Sequence, residues 1–444
     1  MDRRQFLTAT GILAVAAPAQ AAPQALPPGH DATRYGVRPG ASDDQSRALQ
    51  KAIDRVAAAN APLVLPSGTY RCADLKLPPG AVLAGVRGAT KLVLSRPAPL
   101  LTANRADRIS LTGLGLDGNG IKSDTALVQL ANGSNVHIAD CEFSRAGGNA
   151  LALETIAGDV VQCSFTDIGN VALFSRDSRG LTIARNAIKG CGNGGIYVWQ
   201  SEKRPDNTIV ADNRIEDVAA RAGGSGQNGN AINVFRAANV IVRGNRIDKA
   251  AFSAVRGNAA NNLQVHGNVC TSIGEVALYA EFDFEGAVIV GNSVDGAALG
   301  IAVTNFNQGG RLAAVHGNLI RNLVDKRPAG TDPGDSAGLG IGVEADTAVT
   351  GNTIENAPLA GIMVGWGKYQ RDIAVSGNVI RNAGYGITVS VSAGAGQAAI
   401  TGNMIAGARR GGIVGMDERR VATGDLASGK AGAANLTVTA NRLR

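Results

Sequence analysis

The sequence predicts an all-β solenoid, a single-stranded parallel β-helix of about a dozen coils closed at its start by a capping helix. Three observations carry this. A phrase of Gly, Asn, any residue and then Ile or Val returns at Gly244-Asn245-Arg246-Ile247, Gly291-Asn292-Ser293-Val294, Gly317-Asn318-Leu319-Ile320, Gly351-Asn352-Thr353-Ile354, Gly377-Asn378-Val379-Ile380 and Gly402-Asn403-Met404-Ile405, with Gly267-Asn268-Val269 between them. Looser copies stand at Asn186, Asn213 and Asn441, and Cys141 and Cys163 take the Asn slot earlier, so that from Cys141 to Asn403 the steps are 22, 23, 27, 32, 23, 24, 26, 34, 26 and 25 residues. Within one unit, Asn352 to Asn378, three short apolar alternations (353–354, 361–364 and 373–375) are separated by turns, which is the pattern of strands buried on one face. Composition agrees: 59 glycines, 18% charged residues and 4% aromatics suit many short strands and tight turns rather than a helical bundle or a disordered chain.

Taken in order, the chain opens on a leader. Asp2-Arg3-Arg4-Gln5-Phe6-Leu7 precedes a short apolar stretch and the A-x-A pattern Ala19-Gln20-Ala21, so residues 1–21 read as a signal peptide of the twin-arginine (Tat) type. The apolar part is too short to span a bilayer, and no transmembrane segment is expected once the leader is cleaved. The expected location is periplasmic or secreted. Export by this route permits a cofactor loaded beforehand without requiring one, and the sequence assigns none.

Residues 22–100 read as a cap followed by the first coils. Leu49, Ala52, Ile53 and Val56 at i, i+3, i+4 and i+7 form one helical stripe, and Ser42 with Gln45 resembles a capping box. Such a helix would cover the open end of the solenoid. Asp43 and Asp44 stand at its start, where the helix dipole favours carboxylates. The run Tyr35-Gly36-Val37, Asp43-Asp44, Ala48-Leu49 with Ala52-Ile53, and Leu65-Pro66-Ser67-Gly68-Thr69-Tyr70 resembles the opening of pectate-lyase-like right-handed β-helix proteins, polygalacturonases and related lyases among them. Leader and repeats together resemble the twin-arginine-translocated β-helix repeat proteins, a likeness that brings no activity with it. The resemblance implies a right-handed helix and a carbohydrate substrate class. It carries over no catalytic residue, because the N-T-D, double-Asp, G-H-G and R-I-K pattern of polygalacturonases and the D-P-H motif of alginate epimerases are absent from the repeats.

Residues 101–444 are the repeats. The asparagines have a structural explanation, since an Asn stacked on the Asn of the next coil can hydrogen-bond along the ladder. The cysteines number five; Cys141 and Cys163 fall in equivalent slots and could bridge, or lie buried as free thiols. No C-x-x-C, HExxH or His/Cys cluster suggests a metal, and His30, His137, His266 and His316 make no obvious triad.

Aligning the second strand of each coil gives two columns that point outward. One reads Ala152, Phe174, Tyr197, Asn233, Arg256, Tyr279, Ala302 and Gly342; the other reads Glu154, Arg176, Trp199, Phe235, Asn258, Glu281, Thr304 and Glu344. Five of the chain's 17 aromatic residues fall in these columns, which favours a surface for sugar rings over plain cross-strand stacking. The longer turns near 201–205, 220–226 and 325–330 lie beside it, where binding residues usually collect. Phe174, Arg176, Tyr197, Trp199, Asn233, Phe235, Asn258 and Glu344 are thus expected to bind substrate.

Two chemistries fit these columns. In β-elimination or C5 epimerisation of a uronic acid, Arg256 would neutralise charge or act as base and Tyr279 would donate a proton. In hydrolysis, Glu281 with Asp283, or Glu344 with Asp346, would supply two carboxylates roughly 7 Å apart if extended; ordinary solvated turn charges are the other reading of those pairs. The modest net charge of +7 favours an acidic polysaccharide or oligosaccharide, and the lack of a Lys/Arg-rich run with interleaved aromatics argues against nucleic acid. The expectation is a periplasmic carbohydrate-active protein that binds, and as a lyase or epimerase modifies, an acidic polysaccharide. Its rival is a non-catalytic envelope protein that binds glycan or another partner on the same face.

Overall fold

Each Asn rung begins a strand that pairs, in parallel and in register, with the strand after the next rung. Arg246–Ala250 pairs with Val269–Thr271, which pairs with Ser293–Asp295 and then Leu319–Arg321. A second strand and a third repeat this in every coil, giving a parallel β-solenoid of about 14 turns with three sheets wound round one apolar core. This is a computed structural model, and it describes residues 29–304, 309–428 and 433–444. The expected leader, 1–21, lies outside the described residues. Among them no helix is long and apolar enough to cross a membrane.

The asparagines do what stacking requires. In the run from Asn186 to Asn441 each side-chain amide donates to the Oδ1 of the next rung, and that Oδ1 also accepts the backbone N–H of the rung before it; Asn268 Nδ2 and N reach Asn292 Oδ1 at 3.0 and 2.9 Å. The second amide hydrogen goes to a carbonyl of the preceding coil, Val242 for Asn268 at 3.0 Å. Every polar atom of a buried amide is thereby satisfied. The residue before the rung is left-handed, φ 64° at Gly267, which is why the phrase prefers glycine there.

The core is filled by the inward positions of all three sheets, for example Leu151, Leu153, Ile196, Val198, Leu278 and Ala280. Phe143 and Phe165 on successive coils stack at 4.6 Å. Among the described residues all five cysteines are free and buried, so Cys141 and Cys163 remain thiols. Burial, with Cys163 alongside, pushes the Cys141 thiol well up and leaves it unreactive.

Helix α1 (Ser46–Ala58) covers the first coils with Leu49, Ala52, Ile53 and Val56, as its stripe predicts. Its start differs from the expected capping box. Gln45 makes no capping bond; its side chain is buried, accepting from Arg38 N and donating to Asp43 Oδ2. Asp44 accepts the Ser46 N–H at 2.8 Å instead. The opening motif Leu65-Pro66-Ser67-Gly68-Thr69-Tyr70 is a fold-back in which the Tyr70 hydroxyl, fully buried, donates to Pro66 O at 2.7 Å. At the far end Gly411–Asp417 pairs antiparallel with Arg420–Asp425, so a hairpin extends and covers the second sheet.

Candidate functional site

The two outward columns are real columns in space. Phe174 faces Tyr197, Tyr197 faces Asn233, Asn233 faces Arg256 and Arg256 faces Tyr279; beside them run Arg176, Trp199, Phe235, Asn258, Glu281 and Thr304. Parallel pairing without slippage makes sequence columns and spatial columns the same thing.

At one end of this face the aromatic side chains form a single cluster. Tyr197 and Trp199 stack at 5.4 Å with 7° between planes, Phe174 meets Trp199 edge-on at 5.2 Å, and Phe235 lies 5.5 Å from Trp199. Phe174, Trp199 and Phe235 keep part of their surface in solvent. The Trp199 indole donates to Asn233 Oδ1 at 3.1 Å, and Asn233 Nδ2 donates to Gly226 O at 2.9 Å. Arg176 is turned to Glu154, 2.6 Å away, as an exposed pair.

At the centre the arrangement is ionic and buried. Arg256 Nε and Nη2 donate to Glu281 Oε1 and Oε2 at 2.7 and 2.8 Å, and Asn258 Nδ2 adds a third bond to Oε1 at 2.8 Å. The Arg256 guanidinium also lies 5.0 Å over the Tyr279 ring. Glu275, which precedes the strand, takes Arg327 Nη1 at 2.9 Å and lies 3.6 Å from Arg256 Nη1. Burial pushes the Glu275 carboxyl above the ordinary glutamate value despite both arginines. Burial likewise pushes the Tyr279 and Tyr197 phenols well up.

Several outward residues are nevertheless shielded from water: Tyr197 is 4%, Asn233 3%, Arg256 7%, Glu281 1% and Glu344 2% exposed. Two long turns fold against this face, 219–229 at Tyr197 and Asn233 and 325–338 at Glu275. Turn 219–229 accepts the Tyr197 hydroxyl at Gln227 O, and its Ala222 N–H is held by Asn193 Oδ1 at 2.8 Å. Turn 325–338 is anchored by Arg327, which binds Glu275, Asp335 and Ser336 O. The two turns meet near Gly330 and Gly224, beside Phe252. Both turns stand at the edge where the second strands begin, ahead of Asn230 and Leu339.

Three carboxylates of the expected pairs, Glu281, Asp283 and Asp346, are each engaged by a basic side chain. The backbone does not run straight on between the members: Phe282 and Asp283 are left-handed, φ 48° and 27°, and Asp346, φ 42°, lies in the next strand, Ala345–Thr350. Asp283 is exposed and pairs with Lys203 at 3.1 Å, while Asp346 is held by Arg371 at 2.8 and 2.9 Å. Arg256 is unsuited to act as a base, since Glu281 holds its guanidinium charged: burial lowers its pKa, but the Glu281 charge and bonds outweigh that and the net shift is upward.

Alignment of the columns missed the far part of the same face. A cleft of about 420 Å³ lies there, lined by Met363, Trp366, Tyr385, Arg410, Met416 and Arg419 among others. The signal was present, because the rungs Asn378 and Asn403 place Tyr385 and Met416 on the next two second strands. A larger but shallow depression on the third sheet is lined mainly by small apolar residues, with Arg371, Asp346 and Asp372 among its lining but no aromatic ring. His137 on that sheet pairs with Asp159 at 2.7 Å, in the open. Among the described residues no three His, Cys, Asp or Glu side chains converge as a metal site.

The family described as "Right handed beta helix region" matches residues 105–226 and 150–320. The two matches together span residues 105–320, and over that stretch the solenoid is similar to right-handed β-helices. This β-helix is similar to the pre-mature bacteriophage phi29 gene product 12, with a TM-score of 0.56 and 14% identity, covering 85% of this chain and 66% of that one. It thus spans just under two thirds of the phage protein's length. A hyperthermoactive exopolygalacturonase from Thermotoga maritima gives a TM-score of 0.50 at 13% identity, covering 81% of this chain and 93% of that one. The A-module of a mannuronan C-5 epimerase from Azotobacter vinelandii gives 0.45 at 17%, covering 94% and 99%. No curated protein matches the sequence. At these identities the likeness is one of fold, shared by an exopolygalacturonase and a phage protein alike.

Proposed function

We propose that the second-sheet face binds an acidic polysaccharide, in the periplasm or outside the cell, after export by the twin-arginine leader. The observation that carries this reading is the cluster of Phe174, Tyr197, Trp199 and Phe235, four rings on three consecutive coils with three of them still open to solvent. Such rings stack on the C–H faces of sugars, and the exposed Arg176 and Arg236 side chains beside them suit carboxylates. The rigid coils and the two anchored turns pre-organise the surface, so little ordering entropy opposes binding.

Binding without turnover fits the centre of the face better than lyase or epimerase chemistry. Glu281 has both oxygens engaged, Arg256 is committed to Glu281, and the Arg256 Nη1 atom is buried out of reach of a polymer. Tyr279 keeps its proton and suits donation, while Glu281 beside it is engaged by Arg256 and Asn258.

Titration of the mature protein with alginate, pectate and glucuronan oligosaccharides tests this. Saturable binding to at least one, weakened about tenfold by Trp199→Ala, is expected. No binding across the set sinks the proposal. The ultraviolet absorbance of an unsaturated uronate product, lost in Tyr279→Phe, would instead restore the lyase reading.

A further inference from the structure

We infer that the far end of this face is a chain-end site, a closed cleft that takes the terminal sugar ring of the glycan. This rests on the glycan-binding reading of the face and adds how the polymer is held. The 420 Å³ cleft falls within the range of roughly 300–1,000 Å³ typical of small-ligand pockets. Two aromatic rings line it, each carrying a guanidinium: Arg410 lies 4.9 Å over Tyr385 and Arg419 lies 5.9 Å over Trp366.

The decisive contact is the one Arg419 makes across the groove. It stands on the hairpin turn at the edge where second strands end, and its Nη2 donates to Gly334 O on turn 325–338, at the edge where they begin. Arg410, at the beginning edge, is tied to Pro358 O at 2.8 Å. The groove is therefore bridged at this end. A polymer continuing along the face would have to thread beneath Arg419, whereas a chain terminus can enter and stop. Apolar floor, aromatic walls and a rim of Arg419 and Glu418 match a pyranose ring, which offers C–H faces and a girdle of hydroxyls that both donate and accept.

The test uses the mature protein and short oligouronates from alginate and pectate, unmodified, reduced to the alditol at the reducing end, or lyase-cut to an unsaturated ring at the other end. One of the two end modifications should weaken binding about tenfold. Trp366→Ala and Arg419→Ala should each weaken the unmodified ligand by about tenfold and remove the difference between ends. Arg419 is exposed on its turn, so unchanged melting of Arg419→Ala secures the result against misfolding. If both end-modified ligands bind like the parent, or both variants bind like wild type, the chain-end site is wrong. Should Trp199→Ala still weaken binding in that case, the glycan reading stands and only this inference falls; if no oligouronate binds at all, both fall.

Discussion

Arg256 and Glu281, on adjacent coils, are joined by two parallel hydrogen bonds of 2.7 and 2.8 Å while their side chains are only 9% and 1% exposed. A fork of this kind, desolvated and further bonded by Asn258, fixes the relative position of two coils at the middle of the binding face. Removing one partner strands a buried charge.

Glu281→Ala or Arg256→Ala is therefore expected to destabilise the solenoid by about 3–5 kcal/mol. The double variant Arg256→Met/Glu281→Leu should recover most of that loss, because two apolar groups of similar volume need no partner. Denaturant midpoints of the three proteins check it. Equal losses in single and double variants would mean that packing, not charge, is what the pair supplies.

The asparagine ladder makes a graded prediction. Asn292 bonds Val265 O and Asn318 Oδ1, both at 3.0 Å, and accepts from Asn268 twice. Asn292→Ala leaves several buried groups unsatisfied and should cost about 3 kcal/mol or more. Asn441 is the last rung and partly open to water, so Asn441→Ala should cost about 1 kcal/mol. A flat profile along the ladder in thermal or urea melts would contradict this account.

Gly267 tests the turn before the rung. It holds φ 64° with open space where a Cβ would stand, and the same slot carries Gln162, Arg185 and Asp212, each at φ 57°. Gly267→Asp should thus cost only about 1 kcal/mol, the ordinary left-handed penalty, and keep the fold. A cooperative loss of the solenoid in circular dichroism would show that some contact other than φ matters there.

These cases also show what was legible in the sequence. Rung spacing, register and the inward or outward sense of each side chain could be read, because in-register stacking repeats one pairing rule coil after coil. What lies over the columns could not. The burial of Tyr197 and Asn233 depends on where turn 219–229 leads, and turn 325–338 is placed by distant contacts such as Arg327 with Glu275. Asp283 looked like a partner of Glu281 only while the strand was taken to continue; two left-handed residues, Phe282 and Asp283, turn it to Lys203. Trp366 and Arg419 meet across 53 residues of chain, through a hairpin turn that has no counterpart in the repeat.

Glu275 ties stability to pH. Burial holds its folded-state pKa above the ordinary glutamate value, which the unfolded chain restores. In the window between those two values the folded protein binds more protons than the unfolded one, so stability falls as pH rises. The contribution is complete below the ordinary glutamate value and is gone once pH has passed the raised one. Glu275→Gln keeps a neutral side chain of the same size at every pH, and its urea midpoint should stay flatter than wild type across that window. Arg327 in turn 325–338 faces Glu275 and Asp335, and Arg256 lies beside Glu281, so hydrogen exchange of residues 325–338 should report the same difference locally. Parallel pH profiles for the two proteins would show that Glu275 is not the titrating group.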